Sequence, residues 1–96
     1  MAHYLSVLLV VKDQEALAEY FKVGAAAVAK HEGRAFAGGP DTKVLQEAST
    51  PSKGVILEFP SAQHAENWLT DPDLADVHAL RDNGADVTIL SLPSIP

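Results

Sequence analysis

Between residues 17 and 31, Leu17, Tyr20, Phe21, Gly24, Val28 and His31 recur at i, i+3, i+4, i+7, i+11 and i+14, which is one face of an α-helix. This is the clearest periodic signal in the chain, and it demands a neighbour against which that face can be buried. Asp13 is placed to cap the start of the helix. Gly33 is placed to end it in a left-handed conformation, after Lys30 and His31 have complemented the negative end of the macrodipole. Just before the helix, Tyr4 to Val11 is rich in Leu and Val, lacks Gly and Pro, and is too short for a typical helix. It reads as a central strand.

The remaining elements follow from turn and cap chemistry. Arg34 to Ala37 forms a short strand stopped by the turn cluster Gly38-Gly39-Pro40-Asp41. Thr42 to Glu47 returns as an extended arm, Ala48 to Gly54 is a loop, and Val55 to Phe59 is a strand that Pro60 ends. Ser61 caps a helix through Trp68-Leu69, and the pair Asp71-Pro72 opens a second helical segment. On that segment Leu74, Val77, His78 and Arg81 share one stripe, which Asn83-Gly84 stops. Asp86 to Leu92 suits a last strand, and Pro93 to Pro96 a tail. The order β-α-β-β-α-β predicts one α+β domain over residues 1–96, a ferredoxin-like antiparallel four-stranded sheet with its helices on one face.

Such a sheet of mainly Leu, Val and Ile leaves its other face bare, a large apolar patch if it stays in water. A homodimer through that open face is therefore expected, with a barrel-like interior able to hold a small ligand. The formal net charge of −6 and the scattering of the seven Lys and Arg residues argue against nucleic acid. With no cysteine, disulfides, thiolate metal sites and a cysteine nucleophile are excluded. Leu5 to Val11 is too short to cross a bilayer and no targeting segment is visible, so no membrane association is expected and the default address is the cytoplasm.

Several short stretches, in order, resemble a known family. They are the opening His3-Tyr4-Leu5-Ser6-Val7, Tyr20, Lys30-His31-Glu32-Gly33-Arg34, Gly38-Gly39, Val44-Leu45, Leu57 to Ser61, Ala65 to Leu69, Asp71-Pro72 and Leu80-Arg81. Together they are similar to the bacterial domain-of-unknown-function family 1330, within the dimeric α+β barrel superfamily. The resemblance implies the ferredoxin-like fold but no particular reaction. The wider superfamily includes cofactor-independent monooxygenases, muconolactone isomerases and haem enzymes, and fold does not decide function.

Among individual residues, His3, His31, His64 and His78 lack metal-ligand spacing, so no metal is expected. No phosphate-cradling loop or Gly-x-Ser-x-Gly elbow is present, and no cofactor is called for. His31, His78 and Glu58 are the candidate acids or bases. Arg81 offers a guanidinium either to an acid such as Glu58 or Asp82 or to a ligand carboxylate. Glu58, facing away from the helices if Val55, Leu57 and Phe59 face them, needs a partner such as Arg34 or Arg81. Trp68 is either core or the edge of a pocket. Arg81, Trp68, Arg34, Glu58 and His78 are thus the candidate contacts to a small organic, anionic ligand. The alternatives are a cofactor-independent isomerase or monooxygenase, and a structural interaction module without catalysis.

Overall fold

The computed structural model describes residues 2–39, 41–46 and 53–95. Its elements are β1 (His3–Val11), α1 (Gln14–Lys30), β2 (Arg34–Gly38), β3 (Lys53–Phe59), α2 (Ala62–Thr70), a 3-10 turn (Pro72–Leu74), α3 (Ala75–Gly84) and β4 (Ala85–Pro93). The strands form one antiparallel sheet in the order β2-β3-β1-β4, which is the expected ferredoxin-like arrangement. Among the described residues no helix is long and apolar enough to cross a membrane.

Alternation along the strands decides what is core. Leu5, Val7 and Leu9 of β1 and Leu57 and Phe59 of β3 point to the helices and are buried, where they meet Leu17, Ala27 and Val28 of α1 and Ala65 and Trp68 of α2. Trp68, Phe59 and Leu9 are the largest fully buried side chains, each worth about 1.5–3 kcal/mol of apolar burial. The intervening residues point the other way, onto a face that no helix covers. There Val10, Phe36, Leu90 and Leu92 stay 38–52% exposed.

Capping follows the sequence. Asp13 Oδ1 accepts from the Glu15 and Ala16 backbone N–H groups, Ser61 Oγ from His64, and Asp71 Oδ1 from Asp73. The helix α3 runs through Asn83 to Gly84, and Ala85 begins β4 directly. Gly84 permits the close crossing of α3 on α1: a Cβ there would lie 2.6 Å from the Leu17 backbone nitrogen.

Three expectations change. Residues 42–46 of the expected arm belong to no strand, and Glu47 lies outside the described residues. Of the expected loop, residues 48–52 lie outside them, while Lys53 and Gly54 are paired into β3 opposite Leu9 and Leu8. At the end of α1 the left-handed residue is Glu32 (φ 62), not Gly33. The Gly33 N–H donates to Val28 O and the Glu32 N–H to Ala29 O, the bond pattern of a Schellman end. Gly33 is required instead for space, since a Cβ there would stand 2.5 Å from the Phe59 ring and 2.9 Å from Val28. Glu32 is held by a 2.9 Å bond from His64 Nε2.

This arrangement predicts opposite signs at adjacent positions. Glu32→Gly relieves the left-handed strain but loses an exposed hydrogen bond, and should raise stability by about 0.5–1 kcal/mol. Gly33→Ala overpacks against Phe59 and should cost about 1–3 kcal/mol. Urea midpoints at one fixed protein concentration check both. A stabilised Gly33→Ala would contradict the assignment.

Candidate functional site

A cavity of about 710 Å³ opens between α1 and the β2–β3 half of the sheet, on the helix side. Its origin is missing volume on both walls. Gly24, Ala25 and Ala29 of α1 face Ala35, Ala37 and Gly38 of β2, so the helix and the sheet stand apart with little between them. Val28, Val55 and Leu57 make the floor apolar. Gly24 also makes room for the Tyr20 ring, whose Cζ would lie 3.0 Å from a Cβ at that position.

The polar side chains at this cavity are few, and the charged ones are all cationic. Tyr20, Arg34, Lys53 and Arg81 line it. Among the described lining residues there is no Asp, Glu or His, although the chain carries 13 acids against 7 bases. Burial pushes the Tyr20 hydroxyl above its usual pKa, and the charge and hydrogen bond of the adjacent Arg81 offset part of that rise. The phenol therefore keeps its proton near neutral pH and is available as a donor.

Arg81 is only 4% exposed. Its Nε donates to Asp82 Oδ1 at 3.2 Å, one Nη donates to His78 Nδ1 at 3.3 Å, and its guanidinium carbon sits 5.7 Å from the centre of the Trp68 ring. His78 Nε2 donates to the Trp68 carbonyl at 2.9 Å. A carbonyl can only accept and a guanidinium can only donate, so these two partners satisfy the imidazole as its neutral Nε2–H tautomer. His78, edge-on to Trp68 with centroids 4.9 Å apart, thus positions Arg81 from beneath. With five N–H donors, and Asp82, His78 and Tyr20 as its partners, Arg81 retains donors for an oxygen in the cavity.

The other candidates are spread over the molecule. Trp68 is 1% exposed in the core and does not line the cavity, and its Nε1 is buried without a partner among the described residues. Glu58 faces away from the helices, as expected, and accepts from Arg34 Nε at 2.8 Å; the Arg34 guanidinium also stacks 5.0 Å from the Phe36 ring. The sheet therefore separates Glu58 from Arg81 and His78. His31 stands at the C-terminal end of α1, where its Nε2 lies 2.8 Å from Asp71 Oδ2. Pocket-forming residues were legible only in part, because the stripe of α1 counts apolar positions and not the volume they fail to fill. Tyr20 reads as core, and Lys53 as loop, from the sequence. The signal for Lys53 is its place two residues before Val55 in the row Val55, Leu57, Phe59 that faces the helices.

The chain matches the family described as domain of unknown function DUF1330 over residues 2–94, and it belongs to that family. No curated protein matches it. Among solved structures, a protein of unknown function from Rhodopseudomonas palustris superposes with a TM-score of 0.77 at 18% identity, covering 99% of this chain and 84% of that one. A dimeric ferredoxin-like protein of unknown function from Jannaschia sp. CCS1 gives 0.76 at 12% identity, over 98% and 100%. SnoaB, a cofactor-independent oxygenase from Streptomyces nogalater, gives 0.65 at 11% identity, over 99% and 93%. These likenesses establish the fold, and no single activity runs through them.

Asp71 ties this end of the molecule together. Its carboxylate takes Lys30 Nζ at 2.8 Å, His31 Nε2 at 2.8 Å and the Asp73 N–H, and the Lys30 bond above all holds its pKa well below the usual carboxylate range. A depressed folded-state pKa contributes stability that is present above the ordinary value of about 4 and lost as pH falls through the folded value. Urea midpoints should therefore fall steeply below about pH 4 in the parent chain and more gently in Asp71→Asn. Equal slopes would contradict the assignment.

Proposed function

We propose that the chain binds a small organic anion in the cavity between α1 and the sheet, with Arg81 and Tyr20 holding the acidic group and the apolar walls holding the body. The observation that carries this reading is a cavity whose charged lining is cationic alone, in a chain of net charge −6. Electrostatics of that sign favour an anion, and a guanidinium donor not taken by Asp82, His78 or Tyr20 can give a charge-assisted bond to a carboxylate oxygen. The bare sheet face supports a second element of the reading, a homodimer in which two copies cover each other's Val10, Phe36, Leu90 and Leu92. The dimeric state of the Jannaschia relative agrees with it. The cytoplasm is the address this reading adopts.

The oxygenase likeness favours a catalytic variant of the same site, in which Tyr20 and Arg81 stabilise an enolate or phenolate oxygen of the substrate. Binding without catalysis is the simpler reading, because no carboxylate or imidazole among the described residues lines the cavity to act as a base. His31, His78 and Glu58 are then structural: a helix-end partner, a positioning residue for Arg81, and half of a surface ion pair.

Octanoate and benzoate test the reading, with Trp68 fluorescence as the reporter because Arg81 lies against its ring. Saturable binding is expected, weakened at least about tenfold in Arg81→Gln, since a charge-assisted bond to a carboxylate is worth about 1.5–3 kcal/mol. Ala29→Phe, which fills the cavity without touching the buried Arg81 network, should abolish binding in a folded chain. Absence of saturation with either acid, or full affinity in Ala29→Phe, would overturn the proposal.

A further inference from the structure

Lys53 is out of place. The row Lys53, Val55, Leu57, Phe59 on β3 faces the helices, opposite Leu9, Val7, Leu5 and His3 of β1, and its other members on β3 are apolar. A lysine there would ordinarily be tolerated by pairing with an acid. Lys12, Lys22, Lys30, Arg34 and Arg81 each have a carboxylate partner. Among the described residues Lys53 has none. Its Nζ instead sits 5.9 Å from the centre of the Phe21 ring and lines the cavity. Among the described residues Lys43 also lacks such a partner, but it is exposed and does not line the cavity.

Of the three cationic residues that line the cavity, Arg34 is paired with Glu58, which leaves two on different walls: Arg81 from α3 beside the Tyr20 hydroxyl and Lys53 from the start of β3 over Phe21. The Tyr20 and Phe21 rings, with centroids 5.6 Å apart, stand between them. The surface joining the two positions is apolar, formed by Val28, Val55 and Leu57. A molecule with one acidic group would neutralise one cation and leave the other unmatched. A molecule with an acidic group at each end of an apolar body would satisfy both.

Resting on the anion-binding reading above, we infer that the ligand is a dianion with separated acidic groups, a dicarboxylate with an apolar middle, for which Lys53 is the specificity-determining residue. Arg81 holds one carboxylate and Lys53 the other. Lys53 thus distinguishes diacids from monoacids, and length distinguishes one diacid from another.

Calorimetric titration with straight-chain dicarboxylates from butanedioate to decanedioate, each beside the monocarboxylate of equal carbon count, tests this. At least one diacid should bind about tenfold more tightly than its monoacid, the gain of one further charge-assisted contact. In Lys53→Met, which keeps the stem and removes the charge, that ratio should fall to about one, while Lys43→Met on the exposed segment should retain it. If monoacids bind and no diacid exceeds its monoacid, or if the preference survives Lys53→Met, the inference is overturned and the anion site stands. If neither series binds, both fall together.

Discussion

A four-stranded sheet has two faces, and this chain supplies helices for one. Everything else in the structure is arranged around that inequality. On the covered face the helices bury Trp68, Phe59 and the inward row of β1, so this side supplies the stability. On the bare face an apolar surface remains, interrupted by the Arg34–Glu58 pair. On the proposed reading the two faces have different occupants: a second copy for the bare apolar side, and a small molecule for the side where α1 stands off the sheet.

The stand-off is itself a consequence of residue size. Helix α1 carries bulk where it meets the centre of the sheet, at Leu17 and Val28, and turns to Gly24, Ala25 and Ala29 where it passes β2, a strand that offers Ala35, Ala37 and Gly38 in return. A protein interior normally closes such gaps, so the small residues on both sides keep open a space that a single larger side chain would fill. Into that space the fold directs a guanidinium that is otherwise expensive to bury. Asp82, the neutral His78 ring and the face of Trp68 reduce the cost, and the remaining donors of Arg81 are left for the cavity.

Sequence pattern conveyed the order of elements because it rests on strong local chemistry. Asp13, Ser61 and Asp71 cap where capping residues should, and alternation in β3 correctly turned Glu58 away from the helices towards Arg34. What it did not convey were features set by volume and by distant partners. Gly33 looks like a left-handed terminator, yet the Phe59 ring packs so closely that the glycine is needed there for space, and Glu32 takes the positive φ instead. A ligand site between sheets was the natural expectation from a bare apolar face; the cavity within one chain lies on the helix side and arises from small side chains whose absence of bulk leaves no periodic trace. Trp68 and His78 fell on the right helices but serve as packing and support for Arg81 and do not line the cavity.

The central claim is that the two faces have separate occupants, with the anion site complete within one chain. The affinity of the Leu90→Glu chain for octanoate, with its mass read by sedimentation in the same sample, tests this most directly. The charge placed on the bare face should leave a monomer that binds octanoate within about twofold of the parent dimer, because distant sites act independently. A chain that stays dimeric, or a monomer that has lost its octanoate site, would contradict the account and place the ligand between the sheets.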